Sequence, residues 1–131
     1  MDFLQTSEGG LMTQQFKTTE DNLFYSGVLD LEPNEVFQNQ KQISIIDVRQ
    51  TDEFNGDLGH IKDSILIPLE TLEEEISKFS NNSCLVFVCR SGTRSARAAS
   101  QAIELGYKNS FNMKGGMILW NEQSLPAEIV N

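Results

Sequence analysis

Soft metal ligands are scarce in this chain: 2 Cys and 1 His among 131 residues. A structural zinc site usually takes four ligands from that set, so no metal is expected, and nothing in the sequence asks for another cofactor. Two cysteines also cannot build a disulfide framework. Basic residues are outnumbered, 10 against 19 acids, for a formal net charge of −9. Such a deficit argues against nucleic acid or an anionic membrane as the main partner. Nothing approaches the ~18 consecutive apolar residues of a membrane span. No basic segment followed by an apolar stretch stands near Met1, so a secretory signal is not expected and the cytoplasm is the default location. A reducing compartment also suits a free thiol.

What is present fits one globular domain with a real core: 39% hydrophobic and 22% charged residues. The charge is split unevenly. Residues 1–88 hold 16 acids and 5 bases, whereas residues 89–131 hold 3 acids and 5 bases. The division falls at Cys89 and marks the region where an anion is tolerated.

Residues 1–26 show no sustained period and read as an N-terminal extension, poorly ordered as chain ends often are. Residues 27–131 form the domain. Pro33 is placed as a first-turn residue of a short helix with Val36 and Phe37 on its apolar side. The β-branched run Ile43-Ser44-Ile45-Ile46-Asp47-Val48 reads as a strand buried on both faces. One helical turn follows at residues 51–54, then turn chemistry at Asn55-Gly56-Asp57-Leu58-Gly59. Ser64-Ile65-Leu66-Ile67 is a short strand stopped by Pro68. Leu69, Leu72, Ile76 and Phe79 predict an amphipathic helix with Glu70, Glu73, Glu74 and Glu75 in solvent. Leu85-Val86-Phe87-Val88 is the most apolar strand. Residues 93–105 predict a helix with an alanine packing side, closed by Gly106. A last strand at Phe111-Asn112-Met113 turns through Gly115-Gly116 into a helix with Met117, Leu119 and Trp120. Strands alternating with helices predict an α/β domain with a mainly parallel central sheet flanked by helices.

In such sheets, sites form where strand C-termini lead into helix N-termini. Cys89 stands at such a point, at the head of Cys89-Arg90-Ser91-Gly92-Thr93-Arg94. The backbone N–H groups of a tight loop converge on an anion, and the following helix adds its positive end. Arg90 and Arg94 bring forked donors suited to sulfonate or phosphate oxygens, and Gly92 permits the turn. Each factor favours a thiolate over a thiol, which makes Cys89 the expected nucleophile. Ser91, Gly92 and Thr93 complete the expected binding loop. Cys84, at the other end of the same strand, reads as a small buried hydrophobe. Asp47 and Arg49, at the end of a neighbouring strand, are expected in supporting roles. His60, the lone histidine, is not needed as a base by an already ionised thiol.

These pieces, in this order, resemble the single-domain rhodanese-like (thiosulfate) sulfurtransferases. The resemblance is carried by Ile46-Asp47-Val48-Arg49 with Glu53-Phe54, by Gly59-His60-Ile61 leading to Ile67-Pro68, and by Cys89-Arg90-Ser91-Gly92-Thr93-Arg94-Ser95. Gly106-Tyr107 and Gly115-Gly116-Met117 with Trp120 complete it, so that it spans residues 31–126. It departs from the family at Lys62-Asp63-Ser64, where a small Gly-Ala pair is common, and in a longer turn between Phe54 and Gly59. The resemblance implies a rhodanese-like fold and transfer of a sulfane sulfur from thiosulfate, or a similar small anionic donor, through a Cys89 persulfide. The acceptor would be a thiol, a cyanide-like thiophile or a protein, with ping-pong kinetics. It also implies a structural turn for His60. A persulfide relay fed by a protein donor is the alternative within the same chemistry. Cysteine phosphatases and arsenate reductases use a loop one residue longer between Cys and Arg, and a non-catalytic binding module would need neither Cys89 nor the arginines.

Overall fold

The computed structural model describes residues 16–130. Its centre is the strand with the strongest apolar signal, Leu85–Val88, in which all four residues are buried. A strand buried on both faces needs neighbours on both edges and cover above and below. Ser44–Asp47 pairs with it in parallel register, Ser44 opposite Leu85 and Asp47 opposite Val88. Ser110–Met113 lies parallel on the other edge.

In chain order the strands are β1 (Thr19–Asp21), β2 (Leu29–Leu31), β3 (Ser44–Asp47), β4 (Ile65–Leu66), β5 (Leu85–Val88) and β6 (Ser110–Met113). The helices are α1 (Pro33–Gln38), α2 (Thr51–Phe54), α3 (Leu72–Glu75), α4 (Thr93–Glu104) and α5 (Gly116–Glu122). The sheet runs β1-β2-β6-β5-β3-β4, parallel throughout except for the β1–β2 pair. This is the mainly parallel α/β architecture expected, with the C-terminal ends of β3 and β5 side by side.

Alternation along β5 divides the core in two. Leu85, Phe87 and Cys89 join Ile46, Val48, Leu72, Ile76, Ala98, Ala99 and Ala102 on one side of the sheet. Val86 and Val88 join Leu31, Val36, Ile61, Met113, Met117 and Trp120 on the other. The alanines let α4 pack close under the sheet. Its end is closed as expected: Gly106, at φ +104°, donates to the Ile103 carbonyl, and Tyr107 donates to that of Ala102. Trp120 is wholly buried, and its indole N–H meets the Pro126 carbonyl at 3.0 Å.

Two expectations meet a different outcome in the fold. Residues 1–15 of the extension lie outside the described residues, but residues 16–26 are built into the domain. Phe16 is buried with its ring edge-on to Phe111, centroids 5.0 Å apart. The β1 strand pairs antiparallel with β2. Glu35 accepts the N–H groups of Lys17 and Thr18 and the Thr18 hydroxyl. Burial alone would raise this carboxyl, yet those bonds outweigh it and hold Glu35 below the usual range. All three β1 residues are exposed, so no apolar period announces the strand. The second difference is at residues 69–79. Leu72 and Ile76 are buried as their spacing requires, but the segment breaks into 3-10 turns at Leu69–Thr71 and Ile76–Lys78 around α3. Like charges at Glu70, Glu73 and Glu74 crowd one face of a regular helix, and no side chain caps α3.

The segment without the Gly-Ala pair also has a visible consequence. Asp63 takes φ +66°, a left-handed conformation that glycine adopts without strain.

Candidate active site

Cys89 follows β5 directly, and the chain reaches the first turn of α4 four residues later. The intervening loop curls over the sulfur. Gly92 N–H lies 3.1 Å and Ser95 N–H 3.3 Å from Cys89 Sγ, and the Ser95 hydroxyl lies 3.2 Å away. Two backbone donors and a helix N-terminus are thus aimed at one buried sulfur, 1% exposed. Donors of this kind favour negative charge on the atom they face.

Glycines make the curl possible. Gly92 sits at φ +101°, and a Cβ there would meet the Gly115 backbone nitrogen at 3.0 Å. On the outer side, α5 grips the loop: Met117 N–H donates to the Cys89 carbonyl at 2.8 Å and Ile118 N–H to that of Arg90 at 3.0 Å. A Cβ on Gly116 would meet the Cys89 carbonyl oxygen at 2.5 Å and press on that of Arg90 as well. The glycine pair therefore lets one helix N-terminus hold the backbone of the loop that opens another.

Of the expected binding residues, Arg90, Ser91 and Thr93 are exposed around the loop and Gly92 is buried beneath it. Arg94 is half-buried and occupied. Its Nη1 and Nη2 each donate at 2.8 Å to a different oxygen of Glu53, a forked pair. The Arg94 hydrogen bonds hold the Glu53 carboxyl at about 2, well below the usual range. Glu53 also accepts the Gln50 N–H, which closes a capping box at the start of α2.

Asp47 and Arg49 form the frame behind this pair. Both are 1% exposed, and Arg49 clasps Asp47 through Nε at 2.9 Å and Nη2 at 2.8 Å. Its other donations go to the carbonyls of Gly59 at 2.8 Å and Glu53 at 3.2 Å. Arg49 is thereby engaged in tying the end of β3 to α2 and the following turn. His60 belongs to the same turn. It exchanges backbone hydrogen bonds with Glu128, and its ring stacks on Phe54 with centroids 3.8 Å apart. Its Nδ1 lies 2.9 Å from the Phe54 carbonyl. Cys84 is buried with no such donor among the described residues, and burial pushes its thiol up to about 12.

Three neighbours of the loop were not assigned from sequence: Glu53 as the partner of Arg94, and Asn112 with Asp30 behind Ser95. Ser95 Oγ donates to Asn112 Oδ1 at 2.5 Å, and Asn112 Nδ2 donates to Asp30 Oδ1 at 2.9 Å. A lone Asn inside the buried strand β6 was the available signal, since a buried amide needs partners. A cavity of about 250 Å³ lies against the loop, with Ser91, Gly92 and Thr93 on one side and Leu23, Phe24 and Tyr25 of the β1–β2 turn on the other.

Comparison with known proteins bears on the family and the fold. A sulfurtransferase of Allochromatium vinosum is 29% identical over 86 residues, covering 66% of this chain and 78% of the relative. The thiosulfate sulfurtransferase GlpE of Shewanella oneidensis is 32% identical over 82 residues, covering 63% of this chain and 79% of its own. In a longer curated relative the chain spans only 23% of the length. The crystal structure of a rhodanese-related protein from Thermoplasma volcanium superposes with a TM-score of 0.68 at 29% identity, covering 74% of this chain and 94% of the other. The rhodanese-like domain family matches residues 32–123, from just before α1 to the end of α5, and this chain belongs to that family.

Proposed function

We propose that the protein is a sulfurtransferase that carries a sulfane sulfur on Cys89, with thiosulfate or a similar small anion as donor. The observation that carries this reading is the buried Cys89 sulfur under two backbone N–H groups at the head of α4. The Cys89 thiolate attacks the outer sulfur of thiosulfate. The S–S bond of the donor breaks, its electron pair leaves with sulfite, and a Cys89 persulfide remains. A thiolate or cyanide then attacks the outer sulfur of that persulfide and returns Cys89 to the thiolate, so the kinetics are ping-pong. The loop N–H groups face the anionic sulfur in both halves, as an oxyanion hole faces oxygen. Arg90, exposed at the loop, and Arg94, oriented by Glu53, supply the positive field for sulfonate oxygens, with Ser91 and Thr93 at the entrance. Asp47 and Arg49 hold the frame. Neither step as written calls for a metal or cofactor.

A protein donor or acceptor is the second reading. Leu23 and Phe24, 90% and 82% exposed beside the loop, favour a macromolecular visitor over a small ion alone. A reducing compartment such as the cytoplasm suits either form, because it keeps the free thiol out of disulfides.

Intact-mass measurement after incubation with thiosulfate tests the proposal. The wild type and Cys84→Ala should each gain one sulfur, about 32 Da, and Cys89→Ala none. Loading from a cysteine desulfurase persulfide but not from thiosulfate assigns the relay. No loading of Cys89 from either source overturns the sulfurtransferase reading, and Cys89-dependent phosphate-ester hydrolysis would replace it with a phosphatase.

A further inference from the structure

We infer that Asn112 and Asp30 are positioning residues for Cys89: they turn the Ser95 hydroxyl proton away from the sulfur, so that resting Cys89 is held as a hydrogen-bond donor. The argument follows the direction of each bond. An ionised carboxylate only accepts, so the amides that meet it must present their NH2 groups. Asn112 Nδ2 and Asn22 Nδ2 both do so at Asp30 Oδ1, at 2.9 and 3.0 Å. Asn22 cannot turn round, because its Oδ1 accepts the N–H groups of Phe24 and Tyr25, each at 2.9 Å. The Oδ1 of Asn112 therefore faces Ser95 Oγ, 2.5 Å away. A hydroxyl has one proton, and Ser95 gives it to Asn112. What Ser95 presents to Cys89 Sγ at 3.2 Å is a lone pair, which accepts the S–H.

The consequence lies in the ionisation step. When the S–H proton leaves to solvent, the Ser95 lone pair faces a negative sulfur. Either the hydroxyl rotates to donate to sulfur and leaves Asn112 Oδ1, in a residue 2% exposed, without its donor, or the repulsion stays. Both outcomes oppose the Gly92 and Ser95 N–H groups, which favour the thiolate. The chain Asn22–Asp30–Asn112–Ser95 thus limits the nucleophilic form of Cys89, and it begins in the turn that walls the cavity against the loop. A thiol restrained in this way resists oxidants between turnovers, since the thiolate is the form they attack.

The inference gains its catalytic meaning from the sulfurtransferase reading, but its test needs no sulfur donor, so the two fail separately. Charged groups on the elements around Cys89 are Arg90, Arg94, Arg97 and Glu104 of the loop and α4, Asp47 and Arg49 at the end of β3, Asp52 and Glu53 of α2, Asp30 of β2, Lys114 ahead of α5 and Glu122 at its end. Only Asp30 changes in one of the variants below. In a Cys84→Ala background, the thiolate ultraviolet absorbance is followed against pH, with the Cys89→Ala protein subtracted. Asn112→Leu keeps the shape and removes the acceptor. It should move the inflection down by about 0.7 pH unit, about fivefold more thiolate on the acid side. Adding Ser95→Ala should abolish that gain, because the freed hydroxyl is its source. Asp30→Ala releases the Asn112 amide to turn its NH2 toward Ser95, and provides the test if Asn112→Leu disturbs folding as seen by circular dichroism. Its downward shift should vanish when Ser95→Ala is added, whereas the loss of a bare charge would act on the sulfur with or without the hydroxyl. An inflection unmoved or raised in folded Asn112→Leu, or an Asp30→Ala shift that survives Ser95→Ala, overturns the inference.

Discussion

Replacing Glu53 by Gln removes the charge from the forked pair that holds Arg94 while keeping the side chain's size. Glu53 titrates at about 2 in the folded protein instead of 4.5, chiefly through its hydrogen bonds to Arg94. Taken whole, that displacement corresponds to about 3.4 kcal/mol of stability at neutral pH. The side chains are 29% and 37% exposed, so solvent screens part of it. For a bidentate, charge-assisted contact at a half-open site, a loss of about 1–2 kcal/mol is the expected outcome. In a domain of this size that lowers Tm by about 4–8 °C. Because the folded value is depressed, the stabilisation is fully present above about pH 4.5 and is lost as pH falls through about 2. Urea unfolding of wild type and Glu53→Gln at several pH values is the assay. The gap should be constant from neutral pH down to about 5, and less than half of it should remain at about pH 3. An equal gap at neutral pH and at pH 3, or no gap at neutral pH, refutes the reasoning.

Other outcomes follow from the same contacts. Gly116→Ala forces a Cβ against the Cys89 and Arg90 carbonyls at φ +60°, and is expected to lose about 2–4 kcal/mol in urea unfolding together with persulfide loading. Arg49→Met leaves the Asp47 carboxylate buried and unpaired, a loss of about 3–5 kcal/mol by the same measurement. Arg49→Lys should recover little, because one ammonium cannot span Asp47 and the carbonyls of Gly59 and Glu53. His60→Ala should lower Tm by removing the stack on Phe54, while the sulfur-loading rate of the folded fraction stays unchanged. A loading rate that collapses in folded His60→Ala would contradict its structural placement.

Much of the fold was legible because its strongest elements announce themselves locally. The run Leu85-Val86-Phe87-Val88 can only be a central strand, Gly92 and the alanines shape the loop and helix after it, and Gly106 ends that helix. The weak elements were not legible. Strand β1 is fully exposed and held by its partner, so residues 16–26 looked like a tail. The acidic segment after Pro68 kept its apolar spacing, but crowded charge broke the regular helix that the spacing suggested.

At the site, the sequence by itself determined the setting of Cys89: a cysteine between a buried strand and a helix, followed by a glycine turn and two arginines. Those are nearest-neighbour properties, and backbone chemistry dictates them wherever the chain is placed. The direction of the arginine's donors and of the serine's proton was decided only in three dimensions. Glu53 is 41 residues from Arg94, and Asp30 is 82 from Asn112. A parallel sheet brings such groups together at the C-terminal ends of its strands, and no local periodicity records which carboxylate will meet which donor. The net charge of −9 shows the same division. Composition set the charge of the whole body, whereas folding set the Glu53 carboxylate against Arg94 beside the loop.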